Sequence, residues 1–164
     1  MRTPSTMRVQ DFLDRYETGL HVIYPEGDTA TVQSAAQTLG VEPGQIAKTL
    51  ALRAGGSRFL LVMSGDARLD NAKFRNRFGS KPRMLSAKEA EELTGQPVGG
   101  VGPFGHRDPV EVFCDGSLLK YDVIYPAAGS PASAVRVTPA LLAELTTATW
   151  VDVARDTNGA GADN

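Results

Sequence analysis

The feature that most constrains the fold is a pair of largely apolar runs, residues 49–53 and 58–63, joined by Ala54-Gly55-Gly56-Ser57. Adjacent glycines between two strand-like runs predict a hairpin, which commits the middle of the chain to an antiparallel or mixed sheet. Helix signals surround that hairpin. Val9, Phe12, Leu13 and Tyr16 lie at helical spacing within residues 7–17, and Asp28 is placed to cap a helix that runs to Leu39 and closes at Gly40. Residues 71–78 read as helical, Ser86 and Glu89 form a capping box ahead of a helix closed by Gly95, and Thr138-Pro139 opens another over residues 141–145. Residues 20–24, 110–114, 121–125, 134–137 and 149–153 are strand-like. Strict strand-helix-strand alternation is missing. The expected fold is therefore one α/β domain over residues 1–155, with a mixed, mostly antiparallel sheet flanked by helices. A polar, glycine-rich tail over 156–164 is expected to be disordered.

Composition bounds the chemistry. With 164 residues, 41% hydrophobic and 22% charged, the chain can bury an ordinary core without a staple. One cysteine, Cys114, cannot form an internal bridge, and two distant histidines, His21 and His106, give no zinc spacing. A reducing cytoplasm is the expected compartment, since no apolar run approaches a membrane span and the first residues are too polar for a secretory signal. A net charge of −2 excludes binding of nucleic acid through bulk positive charge. Seven of the 17 basic residues nevertheless fall between Arg68 and Lys88, with Asp70 as the one acid before Lys88. Lys73, Arg75 and Arg77 at its centre form either a solvated helix face or a phosphate-contacting patch.

Three segments could carry chemistry. Lys48 is a lone ammonium in the apolar run Ile46-Ala47-Lys48-Thr49-Leu50; it either snorkels to water from a strand end or, partly buried, directs its donors at an anion or carbonyl oxygen. Residues 99–105, Gly-Gly-Val-Gly-Pro-Phe-Gly, let backbone approach a ligand closely or simply make a turn. Gly100, Gly102 and Gly105 match the letters of a dinucleotide fingerprint, but neither the preceding strand nor the following helix is present. The segment Ala127-Ala128-Gly129-Ser130-Pro131 offers a hydroxyl beside flexible backbone, and Asp115 and Ser117 read as turn residues. Gly-x-Ser-x-Gly is absent, which disfavours serine-hydrolase chemistry.

In order and spacing, several segments together resemble the YbaK/prolyl-tRNA synthetase-associated domain family. They are Ala35 to Val41, Ile46 to Leu50, Ser64 to Phe74, Met84-Leu85-Ser86, Glu91 to Gly95, Val98 to Gly105 and Ala128-Gly129. The likeness runs from about Thr29 to Leu145, so the chain resembles a freestanding member. The resemblance implies hydrolysis of the ester joining a wrong amino acid to transfer RNA, without metal or organic cofactor. Mischarged transfer RNA is the implied partner and an aminoacyl-tRNA synthetase a second. It assigns the functional lysine to Lys48. It assigns an aminoacyl pocket to the loop Gly100, Val101, Gly102 and Pro103; Phe104, Gly129 and Ser130 are expected beside that pocket, and the basic cluster makes Lys73, Arg75 and Arg77 the candidate contacts to transfer RNA. The chain departs from the family pattern at Gly102, where relatives carry a larger residue or cysteine, so either a roomier pocket with size selection at Gly102 or a looser loop hinged there is expected. A non-catalytic nucleotide- or tRNA-binding module with the same pocket is the alternative.

Overall fold

A computed structural model of the chain describes residues 1–156. Its elements are α1 (Pro4–Arg15), β1 (Val22–Ile23), α2 (Val32–Leu39), β2 (Ile46–Ala54), β3 (Ser57–Ser64), α3 (Asn71–Phe78), β4 (Arg83–Met84), α4 (Ala87–Thr94), β5 (Val112–Asp115), β6 (Tyr125–Pro126), β7 (Ala134–Val135), α5 (Pro139–Thr146) and β8 (Thr149–Val151). The large sheet has the order β4-β2-β3-β5-β8, with β6 alongside β2, while β1 and β7 form a separate antiparallel pair. The sheet is mixed. β2 pairs antiparallel with β3 and β4, whereas β2–β6, β3–β5 and β5–β8 are parallel.

The central strands are buried on both sides, and alternation sorts their side chains into two cores. Ala47, Ala51, Leu60, Val62, Val112 and Cys114 pack with Val9 and Leu13 of α1, Leu142 of α5 and Phe104. Leu52, Phe59, Leu61, Met63 and Phe113 pack on the other side with Phe74 and Phe78 of α3. Cys114 is fully buried and its thiol is pushed up to about 12, chiefly by burial and then by Asp115, so it serves as packing.

Local chemistry sets the element ends. Ser86 Oγ accepts from Glu89 N and Gly95 closes α4 in the left-handed region at φ 76°, as the sequence predicts. The expected cap of α2 is displaced: Thr31, not Asp28, takes that role. Thr29 explains the shift, because its N–H donates to Pro131 O at 2.7 Å and its hydroxyl to Ser133 O at 3.2 Å, which holds this stretch extended. Residues 121–125 yield only the start of β6, since residues 116–120 coil into a 3-10 turn capped by Asp115. The expected tail over residues 157–164 lies outside the described residues. Asp156, grouped with that tail in the sequence, instead has its carboxylate 2.9 Å from Lys73 Nζ.

Candidate active site

The two-residue turn at Gly55-Gly56, with Gly55 at φ 60°, fixes the register of β2 against β3 and sets Lys48 opposite Met63. Alternation puts Lys48 on the same side as Leu50 and Leu52. Its ammonium bends to the segment after β3, where it donates to the carbonyl oxygens of Gly65 (3.4 Å) and Ala67. That bend requires glycine, because a Cβ at Gly65 would stand 2.2 Å from Pro43 O. Two of the three Lys48 donors are thereby used, which leaves one for a ligand. Burial lowers the Lys48 pKa below 10.5, Asp66 opposes that shift, and Arg68 adds to it.

β6 and β4 both pair with the outer edge of β2 and leave a gap between them. β6 covers Ile46 and Ala47, and β4 covers Leu52 and Arg53. Among the described residues no strand lies opposite residues 48–51 on that edge. A cavity of about 290 Å3 opens at this gap, bounded by α2 on one side and by Ala47, Ala51, Leu85, Ala90 and Val101 on the other. Among the described residues that line it, Lys48 is the one with a charged side chain. Thr49 lines it as well, and Thr49 Oγ1 is buried with no hydrogen-bond partner among the described residues.

The structure separates the predicted loop residues. Val101 and its neighbour Gly99 line the cavity. Gly100 and Gly102 hold the loop against the segment Ala127–Ser130 by backbone contact. A Cβ on Gly100 would meet Ser130 N at 2.5 Å, and one on Gly102 would meet Ala127 O at 2.0 Å. The expected size filter at Gly102 is thus misplaced, since the missing side chain leaves room for backbone and not for substrate. Their amides are also occupied, Gly100 N by Pro97 O at 2.9 Å and Gly102 N by Gln96 Oε1 at 2.8 Å. Pro103 and Phe104 face a different cavity beneath α1, where Phe104 stacks on Phe12 at 5.7 Å. Gly129 lies against Ser5, and Ser130 N donates to Ser133 Oγ at 3.1 Å. Gly129 and Ser130 therefore buttress the loop from outside the cavity.

One buried and one partly buried side chain hold the loop from below. Gln96, fully buried, accepts from Gly102 N and donates Nε2 to Phe104 O at 3.1 Å. His106 Nε2 lies 2.7 Å from Gly102 O, and burial lowers its pKa more than that hydrogen bond raises it. A carbonyl can only accept, so Nε2 carries the proton. Asp115 and Ser117 are structural, as their turn chemistry suggests: Asp115 accepts from Ser117 N and Val153 N, and Ser117 Oγ accepts from Ser64 N. Sequence reading missed Thr49 and Gln96, because a threonine in a strand and a glutamine after a helix carry no signal by type or spacing.

The basic residues of α3 divide similarly. Lys73 is committed to Asp152 (3.1 Å), Asp156 (2.9 Å) and Ala154 O (2.9 Å), and Arg77 stacks over Phe78 and Phe113 at 5.3 and 5.6 Å. Arg75 is exposed, and its side chain makes no hydrogen bond or ion pair among the described residues. Among those residues no three His, Cys, Asp or Glu side chains group as metal ligands, and no helix is long and apolar enough to cross a membrane.

Comparison with known proteins agrees with this architecture. The family model of the aminoacyl-tRNA editing domain matches residues 26–145. YwhH of Bacillus subtilis (strain 168), itself uncharacterised, is 44% identical over 133 residues, covering 80% of this chain and 85% of YwhH. The proline–tRNA ligase of Maridesulfovibrio salexigens is 36% identical over 90 residues, covering 54% of this chain and 15% of the ligase. A crystal structure provisionally described as a trans-editing enzyme for prolyl tRNA synthetase superposes with a TM-score of 0.86 at 36% identity, covering 95% of this chain and all of the other. The chain belongs to the aminoacyl-tRNA editing domain family, whose members deacylate mischarged transfer RNA.

Proposed function

We propose that the chain acts in trans, hydrolysing the ester of an aminoacyl group with a small, uncharged side chain on a mischarged transfer RNA, with Lys48 as the catalytic cation. The carrying observation is the half-buried Lys48 ammonium beside a small cavity otherwise lined by uncharged side chains. At about 290 Å3 the cavity falls just under the roughly 300–1,000 Å3 of pockets for drug-sized ligands, which suits an aminoacyl group and part of the terminal ribose. The remaining Lys48 donor and the Val101 N–H, which has no partner among the described residues, are the groups proposed to steady negative charge on the carbonyl oxygen as water adds and the ester C–O bond breaks. Among the described residues no carboxylate or imidazole lines the cavity, and deprotonation of the water is assigned to the substrate's free ribose hydroxyl. A cytoplasmic location and a synthetase partner belong to the same reading. Release of amino acid from mischarged transfer RNA tests it.

Lys48 should impose an alkaline limit. Binding of an uncleavable, amide-linked desamino acyl-adenosine, which has no amine of its own to titrate, is expected to weaken as pH rises through the lowered Lys48 pKa, thus below 10.5. Its stability contribution has the opposite slope: between the lowered folded value and the unfolded one, the unfolded chain binds the extra proton, so stability rises with pH there. Calorimetric titration of the analogue across pH checks this, and affinity that holds until above 10.5 contradicts it.

Arg75, more than Lys73 or Arg77, is free to meet the acceptor-stem phosphates. Arg75→Gln is expected to weaken transfer RNA binding and to reduce the slope of log affinity against log salt by about 1. Filter binding at several salt concentrations measures it. An unchanged slope assigns α3 to solvent.

A further inference from the structure

The gap in the edge of β2 presents backbone as well as a cavity. Across the two-residue turn, Ala54 and Ser57 form a hydrogen-bonded pair, and such pairs recur at alternate positions, which makes Thr49↔Val62 a non-hydrogen-bonded pair. Neighbouring bonds follow this phase: Ala51 O accepts from Leu85 N at 3.0 Å on the outer edge, and Leu60 N donates to Glu111 O at 2.9 Å, away from β2. The N–H and C=O of Thr49 therefore point outward, into the stretch between β6 and β4 where no described strand answers them. Thr49 Oγ1 is buried at the same place without a partner. Three unpaired polar groups of one residue thus converge on a cavity lined mainly by alanine, valine and leucine, an arrangement that costs stability unless a ligand completes it.

An α-aminoacyl ester carries the complementary pattern, an ammonium donor and a carbonyl acceptor on either side of one Cα, as a strand residue does. We propose that the aminoacyl group docks on this edge as a single added strand residue. Its ammonium donates to the Thr49 carbonyl oxygen and Oγ1, and its carbonyl oxygen accepts from the Thr49 N–H. Thr49 is then a specificity-determining residue that reads the free α-amino group whatever the side chain. This rests on the deacylase reading above.

The experiment takes whichever of the alanyl, seryl, cysteinyl and prolyl esters the wild type cleaves fastest and pairs it with its desamino analogue, propionyl for alanyl. Each rate is divided by the uncatalysed rate in buffer, which removes the inductive effect of the ammonium. The wild type is expected to prefer the amino ester by about 100-fold or more, and Thr49→Val to cut that preference by about 10-fold, the worth of one hydrogen bond to a charged group. Because Thr49 Oγ1 has no partner among the described residues, Thr49→Val should melt at or above the wild-type temperature, which a structural hydroxyl would not allow. Thr49→Pro removes the outward N–H, is tolerated on a strand edge, and should slow both esters alike; if it fails to fold, the valine variant still decides. A wild type without preference, or a valine variant with undiminished preference, overturns the proposal while the deacylase reading stands. Cleavage of none of the four esters overturns both.

Discussion

Replacing Lys48 by methionine or alanine is expected to lower kcat/KM for aminoacyl-tRNA hydrolysis by about 100- to 1,000-fold, the usual cost of removing one donor to a developing oxyanion. Methionine keeps the aliphatic stem and so separates charge from packing. The two variants differ in what they leave behind, because Lys48 also donates to the Gly65 and Ala67 carbonyl oxygens. Freed of that donor, both carbonyls can turn to water, and the fold should survive with a small drop in melting temperature. Lys48→Arg is not a rescue: its planar fork cannot reproduce an ammonium that meets two carbonyls and still keeps a third donor for substrate. Steady-state kinetics beside thermal melts checks the separation. Turnover near the wild-type level in Lys48→Met would remove Lys48 from the chemistry.

The second large effect is at Gly102. Gly102→Ala is expected to depress turnover on alanyl, seryl, cysteinyl and prolyl esters alike and to destabilise the protein by about 1–3 kcal/mol, the range of an overpacked core. The reason is space, not conformation. Gly102 does not have positive φ, but its Cβ would stand 2.0 Å from Ala127 O and 3.0 Å from Ala127 C, both backbone atoms. Nor can the loop slide away cheaply, since Gln96 holds the Gly102 N–H at 2.8 Å and His106 holds its carbonyl at 2.7 Å. Loss graded by aminoacyl size, with the smallest ester spared, would contradict this and restore a size filter at Gly102.

Most of the fold was legible because its signals are local. Gly55-Gly56 between strand-like runs, Ser86 with Glu89, and Thr138 before Pro139 each act within a few residues, and the structure places a hairpin and two capped helices there. Asp28 misled because the start of α2 is set by Thr29, whose partners Pro131 and Ser133 lie about a hundred residues away. The site divides the same way. Lys48 stands out as a charge in an apolar strand. Whether a loop glycine faces substrate or backbone depends on which segment packs against it, and Gly100 and Gly102 meet Ser130 and Ala127, distant in sequence. Lys73, Arg75 and Arg77 look equivalent in the sequence, yet the C-terminal Asp152 and Asp156 occupy the first, and Phe78 of α3 with Phe113 of β5 occupies the last. Thr49 was invisible, since its significance comes from the two short strands that stop on either side of it.

The most direct test of the central claim is multiple-turnover deacylation, with enzyme well below the concentration of transfer RNA charged with alanine, serine, cysteine or proline. The account predicts that at least one small mischarged ester is cleaved through many turnovers per enzyme, well above the buffer rate. A protein that binds the aminoacyl end without cleaving it would instead shield the ester, and release at or below the buffer rate for all four would contradict the account.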